Sequence, residues 1–238
     1  MNIKNDLLIK HSEQFGVELS ISALEKLNIF AEMLVEKNKK INLTSITEPD
    51  DIVIKHFADS LSIFSVFKPQ KNARIIDVGT GAGFPGIVMC IVRPDLNITM
   101  IDSTNKKLDF VREVCDELGL TANVIHCRAE EAGQRKELRE TFDLSVARAV
   151  ANLKNLSEYC LPFVKVGGAF IAMKSAKAEN ETKEGARAVK LLGGKIKGIY
   201  SVDLGEEYTR NLVYINKISQ TPPKYPRCAA QIARKPLE

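Results

Sequence analysis

A chain of 238 residues with 45% hydrophobic and 27% charged content can bury a full core, as one large domain or one domain with an appendage. No apolar run approaches ~18 residues, which excludes a membrane-spanning helix, and Met1-Asn-Ile-Lys-Asn-Asp6 lacks the apolar core of a secretion signal; a cytoplasmic protein, taken as a monomer, is expected. The formal charge of +4 is concentrated in the tail, where residues 217–238 carry five basic residues and one acidic, while residues 1–70 carry 8 Lys against 10 acidic residues.

The first predicted helix runs from Ser20 to about Asn38, because Ile21, Leu24, Leu27, Ala31 and Leu34 recur at helical spacing and Ser22-Ala-Leu-Glu25 offers a capping box. A second helix follows Pro49, with Ile54, Phe57, Leu61 and Phe64 on one face. Asn42 and Thr44 read by default as turn caps, and Lys55 with Asp59 as an i, i+4 ion pair. The pattern divides the chain into a helical extension at 1–70, an α/β domain at 71–218 and a basic tail at 219–238.

Arg74-Ile-Ile-Asp-Val-Gly79-Thr-Gly81-Ala-Gly83-Phe84-Pro85-Gly86 reads as a buried strand, a glycine loop and a helix start. Pro85 suits the first helical turn, where a missing N–H costs nothing. Gly81 to Gly86 matches G-x-G-x-x-G, whose glycines let a ligand approach the backbone, and that match alone fits a dinucleotide as well. Asp77 tips the choice, because a carboxylate at the strand end repels pyrophosphate but suits the ammonium and sulfonium of S-adenosylmethionine. A nicotinamide or flavin nucleotide, or a loop that only turns a corner, is the alternative. Asp102, ending the run Ile98–Asp102, is placed to accept from ribose hydroxyls, which either cofactor would provide.

Strand and helix then alternate, predicting a mostly parallel sheet with helices on both faces. The expected elements are a helix at about Asn105–Leu118 ending at Gly119, strands at Asn123–Cys127 and Phe142–Ala147, a helix near Asn152–Cys160 and a strand at Ala169–Lys174. A charged helix over 177–192 follows, and Lys195–Asp203 and Asn211–Lys217 form an antiparallel pair at one edge, joined by an acidic turn. Ligands in such sheets bind beyond the carboxyl ends of the strands, which selects Gly79 to Phe84, Asp102 to Thr104, Arg128 to Glu130 and Ser145 to Arg148. Glu130 has the alternative of capping the next helix. Arg148 has that of pairing with a surface acid, though a cation directly after a buried strand needs a partner. The five cysteines are scattered and four fall in apolar patterns, so buried reduced thiols are expected; the three isolated histidines suggest no metal site.

Together Lys40-Ile-Asn-Leu-Thr44, Lys55-His-Phe57 with Asp59-Ser60, Asp77 to Gly86, Asp102-Ser103, Arg128-Ala-Glu130, Ala147-Arg-Ala-Val-Ala151 and Lys224-Tyr-Pro-Arg227 resemble the bacterial small-subunit ribosomal RNA guanine-N7 methyltransferases, the glucose-inhibited division protein B family. The match covers about Leu34 to Arg227. It implies a class I S-adenosylmethionine-dependent methyltransferase, Rossmann-like, with a seven-stranded mostly parallel sheet and an N-terminal helical extension. The implied cofactor residues are Gly79, Phe84, Asp102, Ser103, Thr104, Ala129, Glu130 and Arg148, to which the loop chemistry adds Asp77 and Gly81.

The implied partner is 16S ribosomal RNA in the small ribosomal subunit, and the target is the guanine at position 527 in the 530 loop. No general base is expected, since guanine N7 has a lone pair and no proton to lose; Arg148 serves in positioning. Lys224, Arg227, Arg234 and Lys235 are the candidates for RNA phosphates, and the tail is expected to serve RNA and not the cofactor. Its four prolines exclude a regular helix along its whole length. Family tails continue Tyr-Pro-Arg with lysine, glycine and proline where this chain has Cys228, Ala230 and Ile232.

Overall fold

The computed structural model describes residues 3–148, 151–175, 178–205 and 208–237. Seven strands, β1 (Arg74–Val78), β2 (Asn97–Asp102), β3 (Asn123–His126), β4 (Phe142–Arg148), β5 (Val164–Lys174), β6 (Gly194–Asp203) and β7 (Thr209–Lys217), form one sheet. Their order is β3-β2-β1-β4-β5-β7-β6. β1 to β5 pair in parallel, and β7 joins β5 and β6 antiparallel, as the two late strands required.

The inner strands β1, β2, β4, β5 and β7 are largely apolar on both faces because each face carries its own core, while β3 and β6 at the edges are half-exposed. In β5, Ala169, Ile171 and Met173 point into one cluster and Phe170 and Ala172 into the other. Helices Gly86–Val92 and Asn105–Leu118 cover the first face, and Leu153–Cys160 and Ala178–Leu191 the second. Asn105–Leu118 ends as its sequence dictates, with Gly119 in the left-handed region at φ 58°. No helix among the described residues is long and apolar enough to cross a membrane.

The extension shares the first core and is built around Phe30, whose ring lies 5.0 Å from Phe84, 5.8 Å from Phe57 and 6.3 Å from Phe110. Truncating so enclosed a ring costs about 3–5 kcal/mol. A helix at Asn5–Gln14 has no counterpart in the predicted pattern, since its apolar Leu7, Leu8 and Ile9 are consecutive and carry no helical spacing.

The helix Ile21–Asn38 is capped by Ser20, whose hydroxyl accepts from Ala23 N–H, so Ser22 and Glu25 do not form the expected capping box. Ile21 is 79% exposed and lies off the apolar stripe. The stretch after Pro49 is helical to Val66 but includes a π-helical segment, Val53–Ala58, that re-aims the side chains around it. Lys55 consequently pairs with Asp51 and not with Asp59.

The tail includes a short helix, Ala229–Arg234, between Pro226 and Pro236. Ala149 and Val150 of the Ala147–Ala151 motif, the first residue of the predicted helix at 177, and Glu206 and Glu207 of the acidic turn lie outside the described residues.

Candidate functional site

A cavity of about 640 Å³ opens at the carboxyl ends of β1, β2 and β4, where the strand order reverses. Gly79, Gly81, Phe84, Asp102, Ser103, Thr104, Ala129, Glu130 and Arg148 all line it. Asp77 does not.

Asp77 is fully buried beneath the glycine loop, and its Oδ2 accepts from Thr80 Oγ1 at 2.6 Å and from Gly86 N–H at 2.9 Å. It braces the loop from below and occupies the helix N-terminus to which a pyrophosphate would otherwise bind. Its place is thus beneath the loop and not in direct contact with a ligand in the cavity. Gly86 is required here because a Cβ would come within 2.6 Å of Met100 and 2.9 Å of Asp77. Oδ1 of Asp77 has no hydrogen-bond partner, and burial pushes the carboxyl up to about 6 against the pull of its two donors.

Asp102 turns one oxygen to Gly81 N–H at 3.0 Å and the other to Thr104 N–H at 2.8 Å, so it shapes the loop and still has free lone pairs for a ligand. Gly81 needs its glycine for a φ of 59°, and a Cβ there would meet nothing within 4 Å, so its backbone borders open cavity. Glu130 is buried inside the helix Ala129–Ala132, whose N-cap residue is Arg128, so it does not cap it. Two acids thus face one end of the cavity, from the β2 and β3 side of the sheet.

Arg148, from β4, defines the opposite end. Nη1 donates to Lys55 O and Asp59 Oδ2, each at 3.0 Å, and Nη2 donates to His56 Nδ1 at 3.2 Å. Its partner acid is therefore buried, not on the surface. Asp59 also takes two bonds from Arg210 of β7, at 2.5 and 2.9 Å, and so carries two guanidinium groups at once. Arg148 further lies over the Phe84 ring, 5.0 Å from its centroid. Burial first, and then the Arg148 charge, pushes His56 down to about 3, so the ring is neutral.

The tail is folded onto the body. Arg139 donates to the carbonyls of Thr221, Pro222 and Tyr225, and Tyr225, Ile232 and Leu237 are buried on that side of the sheet. Of the four candidate RNA residues, Lys224, Arg234 and Lys235 are exposed. Arg227 has its guanidinium committed to Glu158, at 2.8 and 2.7 Å, and to Lys235 O at 3.0 Å. Lys217, also basic, is buried against Leu161 O and Glu140. Ala229 lines the cavity, as does Tyr159 beside Glu158, so the tail forms part of the site wall, against the expectation that it is kept apart from the cofactor site.

Beyond Val78, Ile101, Cys127 and Ala151, which adjoin the selected rim, the residues missed by the rim rule come from outside the sheet: Leu43, Thr44, Ser45 and His56 from the extension, Lys107, Tyr159 and Ala229. The Lys40–Thr44 and Lys55–Phe57 motifs carried the signal for Leu43, Thr44 and His56. Thr44 caps locally, accepting from Ile46 N–H at 3.0 Å, but it also meets His56 Nε2 at 2.9 Å across the cavity wall.

The chain matches the family model for rRNA small subunit methyltransferase G over residues 23–213. A ribosomal RNA small subunit methyltransferase G of Clostridium perfringens (strain 13 / Type A) is 44% identical over 235 residues, 98% of each chain. One of Acetivibrio thermocellus is 46% identical over 233 residues, 97% of this chain and 96% of the relative. Among solved structures, M. jannaschii TYW2 in complex with AdoMet aligns with a TM-score of 0.54 at 12% identity, over 73% of this chain and 80% of that one. A SAM-dependent O-methyltransferase from Thermotoga maritima aligns with a TM-score of 0.53 at 16% identity, over 79% and 72%. At those identities the likeness is one of fold, that of the class I S-adenosylmethionine-dependent methyltransferases.

Proposed function

The chain belongs to the rRNA small subunit methyltransferase G family, and on that footing we propose that it transfers a methyl group from S-adenosylmethionine to N7 of a guanine in 16S ribosomal RNA, position 527 in the 530 loop. The observation that carries the reading is the division of the cavity, with Asp102 and Glu130 on one side of the glycine loop and Arg148 with the neutral His56 on the other.

The residues present fit the methyl donor. Asp102 and Glu130 accept from hydroxyl and amino groups, and Gly81 leaves room against the backbone. S-adenosylmethionine, when bound, supplies an electrophilic sulfonium methyl. The chain supplies position and a dry wall. Guanine N7 needs no base, and the one histidine on the cavity wall is held neutral with both nitrogens engaged. Arg148 spends three of its five N–H donors within the protein, and a grip on the base through O6 and N7 together would occupy the reacting lone pair, so its role is assigned to positioning.

Lys224, Arg234 and Lys235 are the exposed cations assigned to RNA phosphates, and the protein is taken to act as a cytoplasmic monomer on the small ribosomal subunit. The test is chemical strand cleavage at N7-methylguanosine in 16S RNA from cells with and without this protein. The product ending at the target should vanish when the protein is absent; its persistence would refute the assignment.

A further inference from the structure

The wall contributed by the extension holds a hydroxyl with a single hydrogen-bonding role left to it. Thr44 Oγ1 accepts Ile46 N–H at 3.0 Å and lies 2.9 Å from His56 Nε2. Arg148 decides which partner donates in the second of these. A guanidinium only donates, so its 3.2 Å approach makes His56 Nδ1 an acceptor, and the neutral ring must carry its proton on Nε2. That proton goes to Thr44. With both acceptor positions filled, the Thr44 hydroxyl can only donate, and it borders the cavity.

Building on the function proposed above, we infer that Thr44 is a specificity-determining residue that donates its hydroxyl proton to O6 of the target guanine, with His56 and Arg148 as positioning residues that keep the hydroxyl donor-only. O6 accepts and does not donate, whereas adenine presents an amino group at the same position. A donor-only hydroxyl facing that amine leaves two polar groups unpaired, the situation in which a binding site discriminates most strongly. A bond to O6 alone also leaves the N7 lone pair free to attack. The chain of hydrogen bonds running from Asp59 through Arg148 and His56 to Thr44 thus ties a buried carboxylate to the choice of base.

The test compares wild type, Thr44→Val and Thr44→Ser on small subunits reconstituted with 16S RNA that carries either guanosine or 2-aminopurine, which lacks O6, at the target position. Wild type should favour guanosine by about tenfold in kcat/KM, the scale of one missing hydrogen bond. Thr44→Val should lose about that factor on guanosine and little on 2-aminopurine, and Thr44→Ser should restore the preference. The Kd for S-adenosylmethionine should be the same in all three. Wild type that treats the two bases alike, or a valine variant that slows both equally, would overturn the inference. So would a weakened Kd, because it would assign the hydroxyl to the cofactor. If wild type leaves N7 of the guanosine substrate unmethylated, the proposed function itself fails, a result distinct from any of these.

Discussion

The imidazole of His56 lies flat against the ring of Phe84, with centroids 4.3 Å apart and planes 12° from parallel. This stack joins the extension to the glycine loop, and with Arg148 alongside it removes His56 from acid–base chemistry. The single-turnover rate should therefore be nearly flat between about pH 6.5 and 8.5, where a histidine base would titrate. Lys217, pushed down to about 8 by burial, titrates in this range but sits where β7 meets the start of β5, at the edge of the sheet away from the cavity. A one-proton rise across the range, abolished by His56→Gln, would show that a base is used after all.

His56 and Asp77 give stability opposite responses to acid. His56 has its native pKa lowered to about 3, so as pH falls below 6.5 the unfolded chain binds a proton that the native state refuses. Stability then falls by about 1.4 kcal/mol per pH unit. Asp77 has its native pKa raised to about 6 from 3.8, so as pH falls through 6 the native state binds the proton first, and stability rises with a similar slope. Between about pH 6 and 4 the two slopes oppose each other. Asp77→Asn should make stability fall more steeply over that window than in wild type, and His56→Gln should make it rise relative to wild type. Urea midpoints at three pH values would measure both; parallel profiles for all three proteins would contradict the assignments.

Asp59 is the counter-charge for Arg148 and Arg210 together, and it is fully buried. Asp59→Asn keeps the shape but leaves two guanidinium groups with no anion, which should cost about 3–5 kcal/mol and most of the methylation. Arg148→Ala should also lose most of the methylation, through binding or alignment. Arg210→Met leaves the Arg148 pair intact and should cost far less activity than either. Equal activity losses in Asp59→Asn and Arg210→Met would mean that Asp59 matters for folding and not for placing Arg148.

The sheet was legible because its inner strands are largely apolar on both faces and its helices begin and end on local signals such as Asn152, whose side chain accepts Asn155 N–H, and Gly119. The rim followed from topology, since every parallel strand delivers its carboxyl end to the same edge. Pairings between residues distant in sequence were not legible. Asp59 reads as the helix partner of Lys55 until the π-helical turn carries it to Arg148 and Arg210, 89 and 151 residues further on. Asp77 reads as a ligand contact because sequence places it at a strand end, but not beneath the loop it supports. In the tail, charge counting likewise cannot distinguish Arg227, held by Glu158, from Arg234, which is exposed.

That difference within the tail lets its part in the cavity wall be tested apart from the RNA role proposed for it. Removing residues 222–238 would uncover Glu158, which is 1% exposed and accepts three bonds from Arg227, and would take Ala229 from the cavity wall. The truncation strips Glu158 of its cation and bares the helix that carries Tyr159, which lines the cavity, so it should weaken S-adenosylmethionine binding as well as RNA binding. Replacing Lys224, Arg234 and Lys235 by Gln leaves the Arg227 pair and the buried Tyr225 and Ile232 in place. That triple variant should bind the cofactor normally, while the slope of log K for RNA against log salt falls by about 0.7–0.9 for each phosphate that is no longer neutralised. Calorimetry with the cofactor and salt titrations with 16S RNA would read the two effects. A triple variant with an unchanged salt slope would remove these cations from the RNA interface, and a truncated chain with normal cofactor affinity would show that the tail does not support the wall.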